Sequence, residues 1–330
     1  MPANLTQAYF TAEKKYRQAR TPQDKLETLQ EMLRVIPKHK GTDHMQADLK
    51  KKISKAREDL AKAPKSGGEG RSYYVAPEGI GQVFLLGPPN GGKSSLMDAL
   101  TNAKPAVADY PFTTRNYLPG MMRYHDVWIQ LVDMPPISSE YYEPWIPAVA
   151  RYGDLIALVL DLSSDDALDE AEKVIEILEN KKVRCAGIDD ETGQFDTGIA
   201  SISTLVVGSR RDAPMASERA AMLDELWNSR YPIVMTETGD EESLNNFNRT
   251  VYEMLGKVRV YTKERNKKPD LEEPFVLKKG DSVMDLAGRI HKDIAKQLKF
   301  ARVWGEGKYD GQRVNRDYVL EEGNIIELNF

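Results

Sequence analysis

The feature that most constrains this chain is a glycine-rich segment, Gly87-Pro88-Pro89-Asn90-Gly91-Gly92-Lys93-Ser94. It matches the pattern G-x-x-x-x-G-K-[ST], in which backbone N–H groups of a tight loop wrap around phosphate oxygens. The apolar run 83–86 before it predicts a buried strand, and 95–101 after it predicts the start of a helix. A helix N-terminus adds further N–H donors and partial positive charge. The segment therefore predicts a strand–loop–helix phosphate site rather than an ordinary glycine-rich turn.

The pattern assigns roles to residues in the loop and to acidic residues that follow nearby predicted strands. Lys93 is placed by the pattern to contact the β- and γ-phosphates, and the Ser94 hydroxyl to ligate Mg²⁺. Asp133 ends the apolar run 127–132, which makes it a second candidate ligand for that Mg²⁺. Asp161 ends the next apolar run in the same way, and we interpret it as structural.

The middle of the chain alternates between apolar strands and helices. Further strands are predicted at 155–160, 205–207 and 232–235, with helices at 169–180 and 216–227 between them. Such alternation is typical of an α/β domain in which a mostly parallel sheet is covered by helices on both faces. We assign residues 81–256 to this P-loop domain.

The two ends of the chain have sequence patterns that differ from the alternating pattern of the middle. Helices predicted at 5–35 and 43–62 form a helical hairpin leader over 1–65, and a glycine-rich linker follows at 66–80. Residues 257–330 predict a small mixed sheet crossed by one helix. Its strands are placed at 258–261, 275–277, 302–304 and 325–328, and the helix runs over 283–298 with Asp281 or Ser282 as its N-cap.

Composition predicts the cellular compartment of the protein and the charge of its partners. The single cysteine, Cys185, cannot form an internal disulfide, which favours a reducing compartment. No apolar stretch approaches the length that spans a bilayer, and no signal-peptide pattern opens the chain, so we expect a cytoplasmic protein that does not enter membranes. The net charge of −5 combines two basic ends with an acidic middle. This asymmetry predicts that the ends contact a polyanion, although solvated helix faces would look the same.

With these motifs placed, the chain resembles the developmentally regulated GTP-binding (DRG) branch of the Obg-type GTPases. Residues 108–114, Ala-Asp-Tyr-Pro-Phe-Thr-Thr, look like the first switch of that family, and 123–124 and 129–133 continue the match. The stretch 289–305 resembles the TGS domain, and 38–42 with the lysine-rich helix resembles the helical leader. The resemblance implies a β-grasp fold for 257–330 and a Mg²⁺ ligand at Thr114. It also implies GTP and GDP as ligands, and contact with ribosomes or RNA through the basic leader and the TGS domain, with an accessory protein as a further partner.

The second switch departs from the family pattern Asp-x-Pro-Gly. Here it reads Asp133-Met134-Pro135-Pro136, and the bulky segment 138–145 replaces the usual glycine-rich tract. Proline has no N–H with which to contact the γ-phosphate. We therefore name no catalytic residue, take Thr114, Asp133 and Pro136 as switch candidates, and expect hydrolysis that is slow or dependent on a partner. The alternative is that a neighbouring N–H, such as that of Ile137, substitutes.

The guanine-reading motif, Asn/Thr-Lys-x-Asp in the family, is matched by residues 209–212, Ser-Arg-Arg-Asp. The Asp212 carboxylate can accept two hydrogen bonds from guanine, a contact that adenine does not offer. Asn90 stands where potassium-stimulated relatives hold K⁺, although the residue could simply tolerate an unusual backbone conformation. The complete set of predicted nucleotide-binding residues is Gly87, Pro88, Pro89, Asn90, Gly91, Gly92, Lys93, Ser94, Ser95, Ser209, Arg210, Asp212 and Thr236.

Two other classes of protein remain open. One is a scaffold that binds RNA or protein and whose P-loop domain no longer responds to nucleotide. The other is an ATPase, which requires that Asp212 does not read the base.

Overall fold

The computed structural model describes residues 9, 12, 15, 16, 22–36, 42, 45, 46, 48–53, 75–101, 117–195, 197–265 and 267–330. The predicted first switch at 108–114, with its candidate ligand Thr114, lies outside these residues, as does the linker up to residue 74. The chain forms two compact units, Met1–Ser72 and Tyr73–Phe330. None of the described helices is both long enough and apolar enough to cross a membrane.

The first unit is helical where it is described. Helix α1 spans Pro22–Val35, inside the predicted helix 5–35, and begins with a proline, which is tolerated in the first turn because its N–H would have no intrahelical partner. Residues 48–53 are also helical, inside the predicted helix 43–62. The unit has a small apolar core made of Tyr9, Ala12, Leu26, Leu29, Met32, Ile36, Leu49 and Ile53.

The second unit contains the predicted α/β domain, built on an eight-stranded sheet. Its strands are β1 Gln82–Leu86, β2 Leu118–Tyr124, β3 Val127–Asp133, β4 Leu155–Asp161, β5 Val183–Ala186, β6 Gly193–Gln194, β7 Ala200–Ser209 and β8 Ile233–Met235. Its helices are α2 Lys93–Thr101, α3 Ile146–Ala150, α4 Ala167–Asn180, α5 Ala216–Leu226 and α6 Glu241–Met254. The strand order is β2-β3-β1-β4-β7-β5, with β6 and β8 also paired to β7, and the antiparallel pairs are β2–β3 and β6–β7.

Both faces of this sheet are buried, which explains the unbroken apolar runs in the sequence. In β1, Phe84 and Leu86 face one core while Val83 and Leu85 face the other. Strands β1, β3, β4, β7 and β8 run parallel, so their carboxyl ends meet at one edge of the sheet. The loops that leave this edge carry nearly all the predicted site residues.

The C-terminal sheet has five strands in the order β10-β9-β13-β11-β12. They span β9 Lys257–Thr262, β10 Asp270–Lys278, β11 Phe300–Trp304, β12 Gln312–Val314 and β13 Asn324–Asn329. The two central strands, β9 and β13, are parallel and the other pairs are antiparallel. A mixed sheet of this order with helices on one face is the expected β-grasp arrangement.

The single helix predicted over 283–298 is wrong, because the chain forms two helices there. Helix α7 spans Val283–Ile290 and helix α8 spans Lys292–Gln297. His291 between them is extended, and its Nδ1 accepts from the Asp293 N–H at 3.2 Å, so it caps the second helix. Ser282 is the N-cap of α7 and forms a capping box with Asp285.

Candidate nucleotide site

The P-loop approaches its neighbours so closely that glycine is required at two positions. Gly87 has φ +149° and Gly92 has φ +96°, which L side chains rarely adopt. A Cβ on Gly87 would lie 2.2 Å from the carbonyl oxygen of Val159, and one on Gly92 would lie 2.8 Å from Ser209 Oγ. Asn90, at φ +60°, occupies the left-handed region that asparagine tolerates.

Lys93 opens helix α2 and is buried under the loop. Its Nζ donates to the carbonyl oxygens of Gly87 at 3.1 Å and Pro88 at 2.7 Å. Burial lowers the pKa of Lys93 to about 8, although the charges of Asp133 and Glu170 act in the opposite direction. The ammonium group is therefore still mostly protonated at neutral pH, and it is held where a phosphate wrapped by the loop would lie.

Ser94 and Asp133 meet beside Lys93, as predicted from the pattern. Ser94 Oγ donates to Asp133 Oδ2 at 2.5 Å, while the other carboxylate oxygen, Oδ1, is buried without a hydrogen-bond partner. Burial raises the pKa of Asp133 and Asp98 adds to this, whereas the Ser94 hydrogen bond and the Lys93 charge lower it. A buried carboxylate oxygen without a partner is costly, and a hard cation is a suitable partner for it.

The segment after Asp133 is anchored by its own backbone. The N–H of Met134 donates to Leu85 O at 3.3 Å, and the N–H of Ile137 donates to Gly87 O at 3.0 Å. The side chains of Met134 and Ile137 are buried in the core, and Ser138 N–H donates to Tyr141 O at 3.1 Å. Residues 135 and 136 are both prolines and have no N–H. Every N–H from 134 to 138 is thus absent or already donated within the protein.

The predicted base-reading loop begins at the end of β7. Ser209 is buried, and its hydroxyl donates to Gly91 O at 2.9 Å, so it ties this loop to the P-loop. Arg210 forms an ion pair with Asp161 at 3.1 Å, and its Nη1 donates to Ser163 Oγ at 3.0 Å. Asp161 therefore positions Arg210, which agrees with its structural interpretation. Asp212 is exposed, two residues further on.

A cavity of about 840 Å³ lies at this edge of the sheet. It is lined by ten of the predicted nucleotide-binding residues, Pro89, Asn90, Gly91, Gly92, Lys93, Ser94, Ser95, Ser209, Arg210 and Thr236, together with Asp133 and Pro136. Gly87 and Pro88 are not in its lining but hold Lys93, and Asp212 is not in the lining either.

Seven further residues line the cavity without having been predicted from the sequence: Leu96, Tyr117, Leu118, Met134, Pro135, Glu237 and Thr238. Glu237 and Thr238 follow β8, and Thr236 N–H donates to Gly208 O at 2.7 Å. Their place at the carboxyl end of a parallel strand could have identified them. No sequence signal distinguished Tyr117 or Leu118.

Comparison with known proteins agrees with this site and with the C-terminal fold. Residues 82–187 match the family described as 50S ribosome-binding GTPase, and 258–329 match the TGS domain. An uncharacterised GTP-binding protein of Methanocaldococcus jannaschii is 28% identical over 93% of this chain and 92% of its own length. GTP-binding protein 1 of Schizosaccharomyces pombe is 28% identical over 92% of this chain and 98% of its own length. Developmentally-regulated G-protein 1 of Arabidopsis thaliana is 29% identical over 88% of this chain and 87% of its own length.

The chain thus carries a GTPase domain and a TGS domain, and over most of its length it is similar to DRG-type GTP-binding proteins. Among solved structures, the YchF GTPase of Schizosaccharomyces pombe matches 78% of this chain and 100% of its own chain at 16% identity, with a TM-score of 0.48. Pro136 in the second switch, and Ser209 and Arg210 in the base-reading loop, are the positions where this chain departs from the motifs described above.

Proposed function

We propose that this DRG-type protein binds GTP and GDP with Mg²⁺ in the cavity and hydrolyses GTP only slowly without a partner. We further propose that it acts on ribosomes or RNA in the cytoplasm. The observation that carries the slow hydrolysis is the anchored segment 134–138, in which no backbone N–H remains to contact a γ-phosphate.

Switching requires a group that contacts the γ-phosphate and releases it after hydrolysis. At position 136 the family's glycine would donate its N–H, and proline cannot. The Ile137 N–H, the simplest substitute, already donates to Gly87 O. Loss of one preorganised donor to a transferring group reduces the rate by about 10²–10³. Unaided small GTPases are already slow, at roughly 10⁻⁴ s⁻¹.

The residues present fit a magnesium ion. Asp133 Oδ1 is buried without a partner and Ser94 Oγ lies beside the same carboxylate, so these two side chains would hold the ion, with Thr114 as the ligand expected from the first switch. Mg²⁺ is commonly held by one or two protein groups together with nucleotide phosphates, whose charge it would neutralise here.

Pro136→Gly tests the hydrolysis proposal. It restores an N–H at the position where relatives have one, so single-turnover GTP hydrolysis by the isolated protein should rise by roughly 10²–10³. Pro135→Gly is the matched control, because it removes the same ring and adds an N–H one residue away. Its rate should stay near that of the parent. Brisk hydrolysis by the parent that Pro136→Gly leaves unchanged or slows would refute the proposal.

Guanine specificity is proposed to depend on Asp212. Titrations with GTP, GDP and ATP separate the GTP-binding protein from an ATPase and from a scaffold that binds no nucleotide. Asp212→Asn should cost roughly 2–4 kcal/mol of guanine preference, since an amide cannot accept two N–H bonds as a carboxylate does. An unchanged GTP/ATP ratio would place base reading elsewhere, for example on the cavity-lining Glu237 or Thr238.

Potassium is a second proposed ion, with Asn90 as its ligand. Nucleotide affinity and turnover should then differ between K⁺ and Na⁺ buffers, and Asn90→Gly should remove the difference while keeping the left-handed backbone accessible. Equal behaviour of the parent in both buffers would leave Asn90, at φ +60°, with a conformational role alone.

Ribosome or RNA contact is supported by the basic leader. Lys50, Lys51 and Lys52 are exposed on a helical segment of the first unit. Co-sedimentation with ribosomes should therefore weaken steeply with salt and fall on deletion of residues 1–65. Failure to co-sediment even at low salt would count against this part of the proposal.

A further inference from the structure

The C-terminal sheet has one face covered by helices and an opposite face, here called the outer face. In β11, Ala301 and Val303 are buried in the C-terminal core, so Phe300, Arg302 and Trp304 point to the outer face. Arg313 of β12 pairs directly with Arg302 and lies on that face as well. Aromatic and basic side chains therefore alternate along the part of the outer face formed by β11 and β12.

Two basic side chains of this face lie over aromatic rings. The Arg313 guanidinium carbon lies 4.1 Å from the centre of the Phe300 ring, and Lys263 Nζ lies 4.2 Å from the centre of the Trp304 ring. Arg302, between the two rings, is exposed, and its side chain makes no hydrogen bond or ion pair with any described residue. Such contacts hold the cations over the rings without neutralising their charge.

One acidic residue, Glu327, lies directly beside Arg302 on this face. Glu327 of β13 pairs with Arg302 of β11 and is buried, and its Oε1 accepts from Asn329 Nδ2 at 3.4 Å. The other edge of the outer face is used internally, because Arg259 and Tyr261 of β9 bind Asp126 of the P-loop domain. The β11–β12 edge is thus the part of the face that keeps positive charge and rings together.

The spacing suits unpaired bases rather than a duplex. Alternate residues of a strand stand about 6.6 Å apart, so Phe300, Arg302 and Trp304 form a row of flat groups at that interval. Stacked nucleotides in a duplex repeat at about 3.4 Å per strand, so a bound strand must be drawn out and its bases separated. Rings and guanidinium planes are the groups on which splayed bases stack, while Arg and Lys contact the phosphates.

We propose that Phe300, Arg302, Trp304, Arg313 and Lys263 form a stacking surface for single-stranded RNA on the outer face of the TGS domain. The proposal rests on the RNA association proposed above and names where on the chain, and to which form of RNA, that association is directed. It requires no nucleotide in the P-loop cavity.

The test is fluorescence-anisotropy binding of the full chain to a labelled oligouridylate of about 12 nucleotides, within the size range of single-strand sites. Trp304→Leu and Phe300→Leu keep apolar bulk but remove the ring, and each should weaken binding about fivefold or more. Arg302→Ala should weaken binding and lower the salt slope by about 0.7, the value for one phosphate contact on a single strand. Near-ultraviolet and far-ultraviolet circular dichroism of each variant checks that the domain is folded.

Arg316→Ala is the matched control. Arg316 is exposed and carries the same charge, but its carbonyl accepts from Met284 of α7, on the helical side of the sheet. Its removal should leave the affinity within about twofold. Equal losses in Arg302→Ala and Arg316→Ala, or equal affinity for a duplex hairpin, would overturn the stacking surface.

The remaining outcomes separate the two proposals. RNA binding that survives all outer-face variants but falls on deletion of residues 1–65 would leave RNA association intact and refute the stacking surface. Competition by polyglutamate as effective as by unlabelled RNA would assign the face to acidic proteins. Absence of RNA binding by the full chain at low salt would refute both.

Discussion

Two aspartates of one β-hairpin have opposite environments. Asp126 lies in the turn between β2 and β3, and Asp133 lies at the far end of β3, opposite Leu118 of β2. Asp126 accepts hydrogen bonds from Arg259 at 2.5 Å and from the Tyr261 hydroxyl, both on β9 of the C-terminal domain. Asp133 has one hydroxyl partner and one buried oxygen without any. The carboxylate at one end of the hairpin thus has protein partners for both of its oxygens, whereas the carboxylate at the other end keeps one oxygen without a partner.

The pKa shifts follow the same division. Burial alone would raise the pKa of Asp126, but the hydrogen bonds from Tyr261 and Arg259 outweigh it and hold the pKa below its ordinary value. At Asp133, burial outweighs the single Ser94 hydrogen bond and the pKa is raised. A carboxylate whose pKa folding lowers contributes to stability as a structural residue, whereas a buried carboxylate whose pKa folding raises is a candidate for a functional site.

The largest expected effect is on nucleotide affinity at the Asp133 end. Lys93→Ala removes the ammonium group that the loop carbonyls hold beside Asp133. Two charge-assisted hydrogen bonds to phosphate at about 1.5–3 kcal/mol each correspond to a loss of roughly 100-fold or more in GTP and GDP affinity, measured by calorimetry. Binding equal to that of the parent would show that the P-loop is not the nucleotide site.

The next effect is on stability at the Asp126 end. Arg259 also donates to Glu322 Oε1 at 2.6 Å and is largely buried, with 12% of its side chain exposed. Arg259→Met leaves both carboxylates without their cation, and the free energy of unfolding should fall by about 2–4 kcal/mol in urea titrations. Arg249→Met is the control, since Arg249 is exposed and its side chain bonds only Asn246 among the described residues, and it should change stability by less than about 0.5 kcal/mol. Equal effects of the two substitutions would show that Arg259 stabilises the fold no more than an exposed arginine does.

How far the sequence predicts these two regions depends on the separation of the contacting residues. The P-loop, Ser94 and Asp133 were predicted because a short pattern specifies the loop and because parallel strands bring their ends to one edge. The contact of Asp126 with Arg259 joins residues 133 positions apart in the chain, and nothing near either residue indicates the other. The Asp161–Arg210 pair was missed for the same reason, although Asp161 was assigned to structure.

Errors in the fold have a similar origin. The apolar spacing of 283–298 is helical throughout, so the break at His291 is invisible to periodicity and arises from side-chain capping within the folded domain. β7 extends five residues before the predicted 205–207, because Ser201, Ser203 and Thr204 interrupt the apolar run although they lie in a strand. The short edge strands β5, β6 and β12 have too few residues for a pattern of their own.

A smaller effect is expected from Asp133→Asn. The amide keeps the shape but removes the negative charge that favours Mg²⁺, so the affinity for the magnesium complex of GTP should fall about tenfold. Affinity measured with EDTA present should change much less. Without nucleotide, the variant should be no less stable than the parent, because the substitution removes a carboxylate that burial disfavours. A loss of stability comparable with that of Arg259→Met would mean that Asp133 is a structural residue after all.

The smallest effect, and the one that most directly tests whether the two ends act separately, comes from Asp126→Asn. The pKa of Asp126 is lowered in the folded state, so its contribution to stability is fully present above the unfolded pKa of about 3.9 and is lost as pH falls through the lower folded value. Replacing a charged hydrogen-bond acceptor by a neutral one should make the variant about 1 kcal/mol less stable than the parent at pH 7. This gap should close as the urea titrations are taken toward pH 3. Its affinity for GTP and GDP should stay within about twofold of the parent, because Asp126 and the nucleotide cavity lie at opposite ends of the β2–β3 ladder. If the difference in stability between the variant and the parent does not change with pH, the charge of Asp126 does not stabilise its contact with Arg259 and Tyr261. A larger change in affinity would show that the hairpin transmits between the C-terminal domain and the nucleotide, with an energy given by the measured ratio.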